Sequence, residues 1–408
     1  MSLSSYNPRP SNNYLQIVQS LLMVGLLFFL PPAVYYLTDA VSHSTGLMAA
    51  SIVIIGILGL QPRNHIDLAP LVTILTLIVI HITIAAMIRP VDFQRTGLSV
   101  ALLSIVFLSA ILFSAWFFNQ CDWTLEWTLE ILRWVMLLIA TLSLAGVQPA
   151  SPKALPQPVF PFSEPSHFAL IMSLLVAHAC ISQKGWRRFF WLLTNITLAL
   201  SLQNLSLVVS TIVIAAVCLP IWQLVIGAAG AIGAIGMLDT NYFSARLDFS
   251  AHTTNQSALV YLQGWELTND AFQRTMGWGV GFQNLGLGQF DSPSAETLFR
   301  LYRVEANLYD GGFVAAKLLS EFGVFGLALV ILYAAMAFKT GLQLRKTAIG
   351  ALKIDSGIMI AQVFFVLYSI DLFVRGLAYF SASSTVFLAS VIFLWSSHKK
   401  DNNKFKGT

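Results

Sequence analysis

A chain of 408 residues that is 56% hydrophobic, only 10% charged and +4 in net charge is no ordinary water-soluble domain, since such domains carry about a quarter of their residues as charges. The mean hydropathy is +0.73, and apolar runs of roughly 20 residues, each enough for a membrane-spanning helix, recur along the chain. These features predict an all-α, polytopic integral membrane protein.

The short alternating segments of a membrane barrel are absent, and a small, dispersed positive charge gives no footprint for nucleic acid. Cys121, Cys180 and Cys218 lack paired spacing. No set of His, Cys and carboxylates has metal spacing, so neither a metal nor another cofactor is expected.

Taken in order, the chain reads as a single membrane domain, 1–408, with about twelve spans. They lie near 14–37, 45–61, 67–88, 96–119, 126–147, 164–183, 187–203, 205–221, 222–238, 313–337, 355–373 and 377–396. The first run follows a polar, proline-containing leader without a small-residue cleavage site, so no cleavable signal peptide is expected. Gly227, Gly230, Gly233 and Gly236 give the ninth span a small-residue packing face. With the N-terminus in the cytoplasm, most lysines and arginines fall in inner loops, as positive-inside sorting requires. Two substantial outer segments result. One is the proline-rich loop 147–163. The other is the long polar loop 239–312, where most of the chemistry is expected.

Four groups of residues in or beside these loops carry chemical potential. In Phe162-Ser-Glu-Pro-Ser-His-Phe168, Pro165 suits a first helical turn and Ser163 a cap. Glu164 then sits at the positive end of the helix dipole with His167 one turn inward. This is either an ordinary helix start or a proton-handling or sugar-binding group. Arg246, Arg274, Arg300, Arg303 and Arg375 fall on the outer side, and a guanidinium fork matches phosphate oxygens. They would either hold a pyrophosphate together or pair with Asp248, Asp270, Glu296 and Glu305. The glycine-rich run Gly277–Gly288 lacks a Walker lysine and a strand, so a structural turn is favoured over a phosphate cradle. In Asn307–Gly326, Asp310 is expected to cap the next span, and Lys317 and Glu321 to pair at i, i+4. Glu130 and Arg133 read as a similar pair inside span five. His81 and His178 read as satisfied interior residues.

On these stretches the chain resembles the O-antigen polymerases of the Wzy type. The matches are Phe162–Phe168, Arg246 opening the long loop, the G-x-G-x-G-F-x-N-L run Gly277–Leu285, the K-x-L-x-E-x-G-x-x-G ending of Asn307–Gly326, and Arg375–Phe380. The resemblance implies a GT-C-like polytopic enzyme of a bacterial inner membrane with its site facing the periplasm. It implies metal-independent, inverting transfer of an undecaprenyl-pyrophosphate-linked glycan onto a lipid-linked repeat unit, with the bilayer and a chain-length-regulating protein as further partners. Within that frame Arg246, Arg303 and Arg375 are pyrophosphate ligands, with Arg300 beside them. Glu164 activates the acceptor hydroxyl, Glu305 is the second choice, and His167, Asn307 and Asp310 support the substrate. The related O-antigen ligases place a histidine where this chain has Ala306, so a histidine base there is ruled out. The resemblance lends Arg274 less support, since the residue eleven after it is Leu285, with Gly286 twelve after. An O-antigen ligase and a polysaccharide or lipid transporter are the alternatives.

Overall fold

The computed structural model describes residues 10–61, 67–153, 157–227, 241–250, 252–303 and 307–406. Fourteen helices are named here: α1 Pro10–Leu37, α2 His43–Gly59, α3 Ala69–Ile88, α4 Phe93–Phe117, α5 Asp122–Leu144, α6 Pro165–Ser182, α7 Trp186–Ser201, α8 Leu205–Cys218, α9 Asn241–Arg246, α10 Gln256–Arg274, α11 Pro293–Tyr302, α12 Val314–Ala348, α13 Ser356–Phe373 and α14 Ala382–Lys406. Among the described residues seven helices, α1, α3, α4, α5, α6, α12 and α13, are long and apolar enough to cross a membrane. The chain is therefore an all-helical, membrane-embedded, multi-pass protein. The ninth expected span, 222–238, lies outside the described residues from 228 onward, as do most of its glycines.

Burial sorts the helices. In α6 and α13, 89% and 78% of the apolar window is covered by protein, against 17% in α3. The first two are thus the axis of the bundle, and α3 lies at its edge facing lipid. Helix α7 has 16 residues and α8 has 14, so at 1.5 Å per residue they are about 24 and about 21 Å long, short of a ~30 Å hydrocarbon core. They form a hairpin joined by interior polar contacts, although the buried Asn195 Oδ1 accepts no bond among the described residues. Asn195 Nδ2 reaches Thr211 Oγ1 at 2.8 Å and Ser210 Oγ at 3.2 Å. Asn204 caps α8 by accepting from Leu207 N at 3.0 Å.

Both polar loops lie on the same face of the bundle. The proline-rich loop is fastened to the end of α1, where Tyr36 donates to Pro149 O at 2.9 Å and Ser151 to Tyr36 O at 2.8 Å. The long loop is pinned to the α3–α4 turn. Arg89 donates to Leu287 O at 3.0 Å, Asp92 N to Asn284 Oδ1 at 2.8 Å, and Thr96 Oγ1 to Phe282 O at 3.1 Å. His81, expected to be a satisfied interior residue, is satisfied at one nitrogen only: Nε2 lies 3.0 Å from Trp278 O, while the buried Nδ1 has no partner among the described residues.

The glycine-rich run is a structural turn. Helix α12 breaks at Gly323, where φ is 56° and ψ is −129°, a conformation barred to side chains with a Cβ. The break leaves backbone groups without helical partners, and the run supplies them. Val324 N donates to Gly277 O at 2.8 Å, Val280 N to Ser320 O at 2.9 Å, and Gly281 N to Glu321 O at 3.0 Å. A Cβ on Gly279 would lie 2.4 Å from Glu321 O. The two glycine motifs are therefore halves of one contact.

At the opposite face Arg188, buried on α7, ties three helix ends together. It donates to Cys218 O and Ala348 O at 2.7 Å each and to Gln183 O at 3.2 Å. Arg188→Ala would orphan these carbonyls in a water-poor site, at about 1–3 kcal/mol for each group left unsatisfied. A clear drop in the thermal midpoint of the purified protein is expected, with lysine restoring part of it. In the same half of the bundle Arg133 pairs with Glu130 as predicted, and it also meets His178 Nδ1 at 3.1 Å. His178 Nε2 lies 3.4 Å from Glu126 Oε1. That histidine thus belongs to a charged cluster rather than standing alone on an apolar helix.

Candidate functional site

On the loop-bearing face Glu164, His167 and Arg375 come together. Glu164 holds the N-cap position of α6 with extended backbone (φ −144°) and makes no side-chain cap bond, while Pro165 occupies the first turn. The expected cap from Ser163 is not made, because Glu164 takes that position and displaces Ser163 one residue outward. Ser163 Oγ lies instead 3.0 Å from His167 Nδ1 and 3.4 Å from His43 Nε2. With its backbone uncapped, the Glu164 carboxylate is turned sideways. Its Oε2 accepts from Ser166 Oγ at 2.9 Å and from Arg375 Nη2 at 3.0 Å. His167 Nε2 lies 4.0 Å from the same oxygen.

Arg375 is delivered by the turn that ends α13. Its backbone N–H returns to Ile370 O at 2.9 Å, and the neighbouring Gly376 N donates to Gly312 O at 3.4 Å. The end of the proline-rich loop and the end of the long loop therefore meet at residues 375–376. The Arg375 and Glu164 side chains are 21% and 38% exposed, so both are open to a ligand from the polar face. Burial works to raise the Glu164 pKa. The Arg375 guanidinium, with smaller help from His167 and the Ser166 hydroxyl, outweighs it and holds the carboxyl at about 2.

A carboxyl depressed in this way stabilises the fold at pH above the ordinary value of 4.5, and its contribution is lost as pH falls toward about 2. The wild type is expected to melt above Glu164→Gln at neutral pH, with the difference shrinking steadily below pH 4.5. An unchanged difference down to about pH 3 would show that the pair is not its source.

The other predicted residues stand elsewhere on the loop. Arg246 closes α9 and lines a separate open cavity of about 420 Å³ with Asn255, Ser257 and Tyr302. Arg300 is exposed in the last turn of α11, and Arg303 is its exposed C-cap in the left-handed region, φ 56°. Asn307 is also left-handed, φ 54°, and its carbonyl accepts from Asp310 N at 3.1 Å and Gly311 N at 2.8 Å. Asp310 does not cap α12, whose N-cap is Phe313. It lies 3.5 Å from Lys317 Nζ, which also pairs with Glu321 Oε1 at 3.2 Å as expected. Asp310 precedes that N-cap by three positions, so its carboxylate faces Lys317 and not the helix's first N–H groups. Arg274 is held by Asp270 at 2.6 Å and by Gln289 O at 2.9 Å. Glu305 and Ala306 lie outside the described residues.

No family model, curated protein or solved structure matches the chain.

Two features of the site escape the sequence reading. His43 stacks on Tyr35, with ring centroids 4.2 Å apart, and meets His167 edge-on at 5.0 Å. Behind them a crevice of about 20 Å³ runs between the two histidines and Ser381 and Ser383. Nothing in the sequence around His43 marks it, because its neighbours arrive from distant helices. Asp371 beneath the crevice did carry a signal, as a carboxylate inside an apolar span.

Proposed function

We propose that this protein is a membrane glycosyltransferase that polymerises lipid-pyrophosphate-linked glycan repeat units. The observation that carries the reading is the Arg375–Glu164 pair, half-open at the meeting point of the two polar loops. A guanidinium there is suited to a pyrophosphate whose lipid tail stays in the bilayer. Such a reaction needs two lipid-anchored sugars aligned and a cation for the departing charge.

The acceptor hydroxyl oxygen gives up its proton to water and bonds the anomeric carbon of the donor glycan, and the anomeric carbon–pyrophosphate oxygen bond breaks with inversion. Arg375 takes the developing pyrophosphate charge. Glu164, held at about 2 by that arginine, accepts a hydrogen bond from the attacking hydroxyl and orients it. Ionised beside Arg375, it is able to accept that bond and so to align the hydroxyl. Arg246, Arg300, Arg303, Asn307 and Asp310 serve the sugar or pyrophosphate only if the loop closes over the site. In this reading α2, α7, α8, α14 and segment 222–238 join the seven long apolar helices to give about twelve crossings in a GT-C-like arrangement, the bilayer thinning around the short α7–α8 hairpin. The polar face is the periplasmic face of a bacterial inner membrane, where no nucleotide donor is needed.

One observation favours a transporter instead, since a broken span next to a buried ion pair is a mark of transporters. In α12, however, the glycine-rich run takes up the backbone groups freed at Gly323, which leaves fewer of them for a transported ion. Purified protein in detergent, given a defined lipid-linked oligosaccharide, is expected to produce a ladder of longer lipid-linked glycans with no gradient present. Absence of product under conditions where reconstituted vesicles move the substrate would favour the transporter.

A further inference from the structure

Asp371 is the buried acid that the reaction above leaves unused. Its residue is 3% exposed, inside α13 and four positions before Arg375. The other acids within the bundle have cations: Glu321 has Lys317, and Glu130 has Arg133. Among the described residues no lysine, arginine or histidine stands within ion-pair distance of Asp371. Of the titratable groups on the helices packed around it, Tyr368 of its own helix is joined to it through Ser384, Ser381 and Ser383, and Tyr333 of α12 lies beside Tyr368 with ring centroids 6.2 Å apart. On α12, Lys317 and Glu321 engage each other. On α5 and α6, Glu126, Glu130, Arg133 and His178 form their own cluster toward the opposite face. His167 of α6 and His43 of α2 face the crevice. An ionised carboxylate without a cation in such a place is costly, and acids placed this way inside membranes are commonly proton carriers.

A chain of hydroxyls leads from this acid to the crevice. Ser383 Oγ donates to Asp371 Oδ1 at 2.6 Å, and Ser383 and Ser381 are 3.0 Å apart. Ser381 continues to Ser384 at 2.9 Å and Ser384 to the Tyr368 hydroxyl at 3.1 Å. Ser381 and Ser383 form one side of the crevice, and His43 and His167 also line it. The crevice, about 20 Å³, has room for about one water; most of its wall is apolar, with Phe28, Pro31, Phe162 and Leu170, so a water there depends on the two histidines and two serines for its partners. His167 is in turn 4.0 Å from Glu164.

We propose that Asp371 is a proton-exchanging site reached from the polar face through Ser383 and the His43–His167 crevice, and that it receives the proton of the attacking hydroxyl. The second half of this proposal rests on the polymerase reading, and the first does not. As the acceptor oxygen bonds the anomeric carbon, its proton passes to the water in the crevice. That water gives a proton to Ser383 Oγ, and Ser383 passes its own to Asp371 Oδ1, leaving a neutral acid. The pyrophosphate leaves with the electron pair of the broken C–O bond. Asp371 then returns the proton along the same path to solvent. The relay separates alignment, done by Glu164, from proton storage, done by Asp371.

Infrared spectroscopy of the full-length protein in lipid tests the first half without substrate. A carboxylic-acid C=O band that is lost as pH is raised is expected in the wild type and in Glu164→Gln, and the Asp371 contribution to it is expected to be missing from Asp371→Asn. Ser383→Ala is expected to keep the band and slow its hydrogen–deuterium exchange. Identical spectra for wild type and Asp371→Asn would overturn the proposal. For the second half, Asp371→Asn is expected to lower kcat on the order of 10²-fold with little change in KM. The rise of rate with pH should disappear in that variant and persist in Asp371→Glu. A slower Asp371→Asn enzyme that keeps the wild-type pH profile would make the residue merely structural and sink the relay. A pH-dependent band in a protein with no polymerising activity would overturn the polymerase reading while leaving the proton site intact.

Discussion

Arg375→Ala is expected to lower polymerisation by about 10²–10³-fold, the usual effect of removing one donor to a developing anion. Membrane insertion should stay normal and the melting point should fall no further than in Glu164→Gln, which breaks the same pair, because Arg375 is partly exposed and its backbone bond to Ile370 O does not need the side chain. Arg375→Lys should restore part of the rate, since a point charge replaces the charge but not the fork. Released lipid pyrophosphate and glycan ladder length, followed together, make the measurement. Full activity in the alanine variant would remove Arg375 from the chemistry and with it the main support for the function proposed here.

Gly323→Ala is expected to be the most damaging single change to the fold. The residue is left-handed, φ 56°, and a Cβ would lie 1.9 Å from Gly277 O. The obstacle is backbone, so no side chain can rotate away. The long loop must then separate from α12, losing the three bonds that close the helix break. A loss of roughly 3 kcal/mol or more is expected, the range of strained backbone and broken buried hydrogen bonds combined. Gly56→Ala in α2 is the control, because nothing lies within 4 Å of its added carbon. Thermal unfolding of both purified variants decides the matter, and equal midpoints would contradict the described loop docking.

Sequence pattern resolves what is local. The span expected at 164–183 is helix Pro165–Ser182, and that at 355–373 is Ser356–Phe373, because apolar runs bounded by Pro, Gln and Asp mark their own ends. Helix α12 outruns its expected end at 337 and reaches Ala348. The charges Lys339, Arg345 and Lys346 look like a loop in sequence, but they are good helix formers and extend the helix beyond its apolar stretch. Helix α14 starts at Ala382 instead of 377, because Ser381 Oγ accepts from Ser384 N at 3.1 Å and sets the helix start there. The site divides in the same way. The placement of His167 one turn from Glu164 follows from helical spacing. The Arg375 contact joins residues 211 positions apart, and no local pattern encodes it. The loop arginines looked like a set because composition cannot separate Arg246, in its own cavity, from Arg274, tied to Asp270.

Everything proposed for the site depends on which compartment the loop-bearing face meets. Cys121 is exposed on the α4–α5 turn, at the end of the bundle opposite that face, and Asn269 is exposed on α10 within the long loop. Intact cells carrying Asn269→Cys can be treated with a membrane-impermeant maleimide before and after permeabilisation. The account predicts immediate labelling at position 269 and labelling of Cys121 only once the membrane is opened. Immediate labelling of Cys121, with position 269 protected until permeabilisation, would put Arg375 and Glu164 in the cytoplasm and contradict the proposed reaction.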